Sequence, residues 1–113
     1  MKVRIVLLCA IVMSMSSASA QTLSGKLVGR LMPPDGRDCV FFELQGVGTA
    51  DPSVPGGESW IAVPRSQTGF KEIYALLITA KAMQMPITVV TTGAPAPSPC
   101  NGFVGLTQIY SSE

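Results

Sequence analysis

Apolar and polar positions alternate from Leu23 to Met32. Leu23, Leu27 and Leu31 share one side with Gly25 and Gly29, while Ser24, Lys26, Val28 and Arg30 take the other. A period of two predicts a half-buried strand, and the glycines inside it predict a bulge or a strong bend. Pro33-Pro34-Asp35-Gly36 then marks a turn. Cys39 to Gln45 reads as a second strand, with Val40, Phe42 and Leu44 directed inward and Phe41, Glu43 and Gln45 outward. Gly46 to Gly57 is a Gly- and Pro-rich loop, long for a compact domain, and Ser59 to Val63 is a short third strand around Trp60. The period changes between Thr68 and Met85. Phe70, Ile73, Tyr74, Leu77 and Ala80 recur at three and four residues, which predicts a helix. Thr68 is its expected N-cap, Glu72 lies in the first turn, Lys81 near the end, and Pro86 stops it. Pro86 to Thr92 is a β-branched fourth strand, Gly93 to Pro99 a second Pro-rich loop, and Phe103 to Tyr110 a fifth strand.

Three strands, one helix and two strands follow each other in the order of an OB-fold, a five-stranded Greek-key barrel. The expected class is therefore all-β with one helix, in a five-stranded OB-fold-like barrel. The glycine-bent first strand suits that barrel, whose first strand curves around both sheets. A plain β-sandwich and a split α+β sheet are the competing architectures.

The first residues follow a different logic. Lys2 and Arg4 form a short positive region, Ile5 to Met13 an apolar run, and Ser14 to Ala20 a small-residue segment ending in Ala18-Ser19-Ala20. This is the pattern of a cleavable export signal over residues 1–20, with Gln21 as the new first residue and residues 21–113 as one domain. The alternative, a retained anchor, meets the objection that the apolar run is far short of the roughly 20 residues a spanning helix needs. Cys9 lies within that run, and the bulky Leu8 before it argues against a lipid attachment site. The expected location is the periplasm or the medium.

Cleavage also changes the charge and cysteine balance. Lys2 and Arg4 are two of eight basic residues, so their loss leaves the seven acidic residues in slight excess. No basic stripe remains for nucleic acid and no polybasic patch for a membrane surface. Of three cysteines, Cys39 and Cys100 remain. A pair of cysteines in a short exported chain reads as a disulfide, the alternative being two buried thiols.

The chemistry-bearing residues are sparse. There is no histidine, no pair of carboxylates at a recognisable spacing, and no nucleophile with a basic partner, so an enzyme is not expected. With both cysteines placed in a bridge, no metal site is expected, and no Gly-rich phosphate loop or other cofactor signature is found. Trp60 is either a core anchor or a ligand platform. Phe41 points outward, so it either packs under a loop or sits on a binding face; Glu43 shares its direction. The helix carries Leu76, Ile78, Ala82 and Met83 beyond the core stripe, more than one buried face requires. Either another subunit covers them or long loops do.

Several short segments resemble the B-subunit-like family of subtilase cytotoxin and related small exported bacterial proteins. They are Trp60, Ala75-Leu76-Leu77, Pro86-Ile87-Thr88-Val89, Asn101-Gly102-Phe103-Val104-Gly105-Leu106, and the opening Leu23-Ser24-Gly25. The resemblance covers most of residues 22–110, and the cysteine placement differs from the family's. It implies an OB-fold that assembles as a five-membered ring, with helices lining the centre, and that binds sialylated glycans. Among the family's sugar-contacting residues, the first-strand serine has a counterpart in Ser24. Ser24, Phe41 and Glu43 are thus the candidate ligand contacts. Glycans, or a toxin or envelope protein, are the expected partners, and a homo-oligomer, a pentamer, the expected assembly. The alternative function is a periplasmic structural or protein-interaction domain without a sugar site. Sugar binding predicts an exposed aromatic beside hydrogen-bonding groups on one face; the alternative predicts a featureless face.

Overall fold

The computed structural model describes residues 20–34, 38–54, 59–98, 100 and 103–112. The expected signal therefore lies outside the described residues except for Ala20, as do Asp35 and Gly36 of the first turn, Gly56 and Gly57 of the long loop, and the Asn101-Gly102 pair.

The chain is mostly sheet with one helix: β1 (Thr22–Lys26), β2 (Val28–Met32), β3 (Cys39–Leu44), β4 (Ile61–Pro64), α1 (Phe70–Met83), β5 (Ile87–Pro95) and β6 (Val104–Ser111). The strands form one six-stranded sheet in the order β1-β5-β6-β4-β3-β2. Only β4 and β6 run parallel; every other neighbouring pair is antiparallel. Among the described residues no ladder joins β1 to β2, so the sheet is open rather than closed into the expected five-stranded barrel.

The sixth strand arises because the expected first strand divides at Leu27. Gly25 has φ 65°, a left-handed conformation that glycine adopts without Cβ strain. At that point the β1–β5 register slips, from Leu23 opposite Val89 to Lys26 opposite Ile87. This bulge shifts the alternation by one position. Val28, expected beside Ser24 and Arg30, is instead buried in the core, while Leu23 and Leu31 pack against it only in part. A second register shift, between Val28 and Leu31 in the β2–β3 pairing, interrupts the alternation again, so period two does not run through the segment.

Elsewhere the inward pattern holds. Val40, Phe42 and Leu44 of β3 join Ile61 and Val63 of β4, Ile87 and Val89 of β5, and Val104 and Leu106 of β6 in the main core. Helix α1 covers that core with Phe70, Leu77 and Ala80, and with Ile73 and Tyr74 at the margin. Burial of a side chain such as Leu77, which has no exposed surface, stabilises the fold by roughly 1.5–3 kcal/mol. The helix is fixed at both ends by polar contacts to the sheet. Gln67 Nε2 donates to the Leu106 carbonyl at 2.8 Å, and Lys81 Nζ donates to the Gly29 carbonyl at 2.6 Å.

Several boundaries differ from expectation, and Trp60, expected inside a strand over Ser59–Val63, stands just before β4. The helix N-cap is Gly69, with φ 80° and no capping side chain, not Thr68. Its C-terminal end is Met83, not Met85: Gln84 turns left-handed at φ 51°, and Met85 N–H closes back on the Ala80 carbonyl at 2.9 Å. Strand β5 runs through the expected Pro-rich loop to Pro95, which pairs with Val104. A bend at Gly93, φ 78°, makes this continuation possible. Gly105 of β6 lies under the bend, where a Cβ would come within 2.7 Å of Thr92 Oγ1.

The expected Cys39–Cys100 disulfide is present, with the Cα atoms 6.0 Å apart. It ties the start of β3 to the segment before β6 and belongs to a second, smaller core with Phe41, Ala62 and Ala96.

Candidate functional site

Among the described residues, one polar group on the surface begins with a bulge in β2. Val28 pairs with Leu44, but the next pair is Leu31 with Phe42. Gly29 and Arg30 therefore both stand opposite Glu43. A bulge bends its strand and redirects side chains, and here Arg30 is brought onto Glu43. Its Nε lies 2.6 Å from Oε1, and its second guanidinium nitrogen lies 3.2 Å from Oε2. This is the two-point geometry that a planar guanidinium offers a carboxylate. Ser59 Oγ, just before β4, donates to Glu43 Oε2 at 2.8 Å.

Arg30 and Glu43 differ in exposure. The Arg30 side chain is 71% exposed and that of Glu43 17%. The hydrogen bond from Arg30 holds the Glu43 carboxyl below the usual carboxylate range; Ser59 acts in the same direction, and partial burial opposes both less strongly. The hydrogen bond and charge of Glu43 raise the Arg30 guanidinium in turn. Both groups are charged at neutral pH. An ionised, tethered Glu43 can accept hydroxyl protons but is poorly suited to donate one.

Trp60 completes the group. The Arg30 guanidinium carbon sits 4.8 Å from the centre of its ring, within cation–π range. The half-buried indole also forms one wall of a hollow of about 230 Å³ lined by Met32, Phe41, Trp60 and Phe103. Phe41 and Phe103 meet edge to face there, with ring centres 5.0 Å apart. Glu43 also lines a second cleft of about 490 Å³, together with Gly29, Arg30, Gln45, Gly46, Gly48 and Ser59. The aromatic hollow and the Arg30–Glu43–Ser59 group are thus linked where the Arg30 guanidinium lies over the Trp60 ring.

The three expected contact residues fare differently. Glu43 is the centre of this group. Phe41 is 9% exposed and packs edge to face against Phe103, and it also lines the hollow. Phe41 and Glu43 are two apart on β3 and share its outer face. Ser24 stands exposed on the edge strand β1, at the far side of the strand order from β3, and lines neither hollow nor cleft.

Arg30, Ser59 and Met32 carry no sequence signal of their own that marks them as site residues. The outward position of Arg30 was legible, but its partner was not, because the β2 bulge sets the register. Ser59 joins Glu43 only through the pairing of β3 with β4. Among the described residues no three His, Cys, Asp or Glu side chains gather to hold a metal ion, and no helix is long and apolar enough to cross a membrane. Comparison with family models, with curated proteins and with solved structures finds no match to this chain.

Proposed function

We propose that this chain is an exported carbohydrate-binding module, and that its sugar site is the junction of Arg30, Glu43, Ser59 and Trp60 with the aromatic hollow. The observation that carries this reading is the half-buried Trp60, flanked by a guanidinium at 4.8 Å and, through it, by an ionised carboxylate and a hydroxyl. A sugar ring has an apolar C–H face and a rim of hydroxyls. An indole suits the face, while a fixed Arg–Glu pair can donate to and accept from neighbouring hydroxyls. The resemblance to the toxin B-subunit-like family points to the same ligand class.

A glycan array probed with the chain beginning at Gln21 tests the reading. Binding to a defined subset of glycans is expected. Trp60→Ala should weaken that binding by about tenfold, in line with the roughly 0.5–1.5 kcal/mol that an aromatic contact contributes beyond the area it buries. Circular dichroism should show the fold retained, since Trp60 sits at the margin of the smaller core. A blank array, or unchanged binding by the variant, would sink the proposal.

The architecture proposed for this module is an OB-type barrel. The two edge strands, β1 and β2, are consecutive in the chain with Leu27 alone between them, so they can be read as halves of one strand bent around the sheet. Gln45 N–H, following β3, donates to the Leu27 carbonyl at 2.8 Å, which keeps the bend against the rest of the sheet. The parallel β4–β6 pair also fits that topology.

A second reading, a protein-interaction or ring-forming domain, is favoured by the outer face of α1. Ile78 is 45% exposed and Met83 70%, with Ala75 and Ala82 also open to solvent. If this face meets another copy, light scattering behind a sizing column should give several times the single-chain mass of 11.8 kDa or its processed equivalent. Ile78→Glu should return it to one chain, because a buried unpaired charge is costly. A single-chain mass at high concentration removes the ring and leaves the sugar site untouched.

A further inference from the structure

Asp51 is a carboxylate the proposed sugar site does not use, and it has no exposed surface. It lies in the loop after β3 and reaches across to the bend of β5. Its Oδ1 accepts from Ser53 N–H at 3.0 Å and Ser53 Oγ at 2.6 Å, and its Oδ2 accepts from Thr91 Oγ1 at 2.7 Å. Among the described residues the side-chain ion pairs are Arg30–Glu43 and Arg65–Asp38, so none brings a cation to Asp51. A buried carboxylate stabilised by neutral donors alone still lacks a countercharge.

The network continues one step further. The Thr91 hydroxyl, having given its single proton to Asp51, accepts from the Gln21 backbone nitrogen at 2.9 Å. The Gln21 carbonyl accepts from Thr91 N–H, also at 2.9 Å. Gln21 is thus held at both its backbone polar groups, two hydrogen bonds away from the buried carboxylate. It is also the residue that follows the expected cleavage point, and Ala20 before it is exposed.

We infer that export processing supplies the missing charge: the α-ammonium group freed at Gln21 is the countercharge of Asp51, held in place by Thr91 Oγ1. In the uncut chain this nitrogen is a neutral peptide amide. Hydrolysis of the Ala20–Gln21 bond by a leader peptidase adds one water, leaving a carboxylate on Ala20 and an amine on Gln21 that takes up a proton. The positive charge then appears at an atom the fold already holds. The processed chain is consequently more stable than the same domain with residues retained ahead of Gln21. The strands and the helix of the described residues all lie after Ala20, so cleavage removes none of them. The inference rests on the cleavage site and is independent of sugar binding.

Three forms of the domain test it: one beginning at Gln21 with a free amine, one retaining Ala20, and one in which Gln21 has cyclised to pyroglutamate with loss of ammonia. The cyclised form keeps an N–H at the same atom but carries no charge. Mass spectrometry verifies each form and the N-terminus of the exported protein. In urea titrations the free-amine form should have a folding equilibrium constant roughly tenfold above the other two, as expected for opposite charges a few ångströms apart at intermediate dielectric. The advantage should vanish in Asp51→Asn. If that variant does not fold, the Gln21 amine is titrated by NMR in the unaltered chain and should lie above the ordinary value of about 8. Equal stability of the three forms, an advantage that persists in Asp51→Asn, an ordinary amine pKa, or an exported chain that begins elsewhere would each overturn the inference.

Discussion

Reduction of the Cys39–Cys100 bridge should lower the unfolding free energy by about 4 kcal/mol. The bridged cysteines are 61 positions apart, and closing so long a loop removes that much chain entropy from the unfolded state in the loop-closure model. Small domains have total stabilities of about 5–15 kcal/mol, so the loss is a large fraction of the whole. The bridge also shapes the proposed site. Cys39 and Cys100 are buried together with Phe41, Ala62 and Ala96, and Trp60 and Phe103 pack on that cluster. Without the bridge, the segment carrying Phe103 is held over β3 by fewer contacts. Sugar binding should therefore fall along with stability, whereas Trp60→Ala should reduce binding alone. Urea unfolding of the oxidised and reduced protein, and of the Cys39→Ala, Cys100→Ala double variant, measures the effect. A change below about 1 kcal/mol would mean that the bridge records proximity without constraining the chain.

Much of this architecture could be read from residue patterns, because burial writes its period into the sequence. Val40, Phe42 and Leu44 alternate and are all in the core; Phe70, Leu77 and Ala80 recur at helical spacing and are all buried. The readings that needed correction depend on backbone geometry, which side-chain pattern does not encode. Gly25 marks a place where the strand can bulge, but the one-residue slip that buries Val28 follows only from the pairing with β5. Pro95 looked like loop and is strand, because a proline at a strand end, beside a bend, does not have to donate to the ladder. The candidate site shows the same division. Glu43 and Phe41 were legible as outward residues of β3. Their partners Arg30, Ser59 and Phe103 come from three other segments, brought in by a bulge, a strand pairing and the disulfide. Asp51 was not legible as a core residue at all, since an aspartate in a Gly- and Pro-rich loop is ordinarily solvated. Its burial depends on the bend of β5 some 40 positions away.

That burial makes Asp51→Ala the second large effect, with an expected loss of about 3 kcal/mol. The substitution strands the buried Thr91 hydroxyl and removes the acceptor of the Ser53 and Gly93 donors, and hydrogen bonds to a charged group contribute about 1.5–3 kcal/mol. It also frees the loop after β3 from β5, because Asp51 is its polar anchor there. The loss should depend on pH in a defined direction. Burial pushes the Asp51 carboxyl upward, but the hydrogen bonds from the Ser53 and Thr91 side chains and from the Ser53 and Gly93 backbone outweigh it, leaving the group below its ordinary value. The folded protein thus holds this proton less tightly than the unfolded chain does. The stabilisation from ionised Asp51 is fully present above the unfolded carboxylate value of about 3.9 and is lost as pH falls through the lower folded value. Glu43 has a lowered value too, so the acid sensitivity of the unaltered protein alone cannot be assigned to one residue. The informative quantity is the stability gap between the unaltered protein and Asp51→Asn, which keeps the shape of the side chain and removes its charge. That gap should be constant from about pH 5 to 7 and should narrow below about pH 4, because protonation makes Asp51 neutral as well. Urea titrations at half-unit pH intervals provide the curve. A gap that shrinks as pH rises above about 4 would show that Asp51 is buried as the neutral acid, and a gap independent of pH would show that folding leaves its proton affinity unchanged; either result would remove the reason for the countercharge inferred for Gln21.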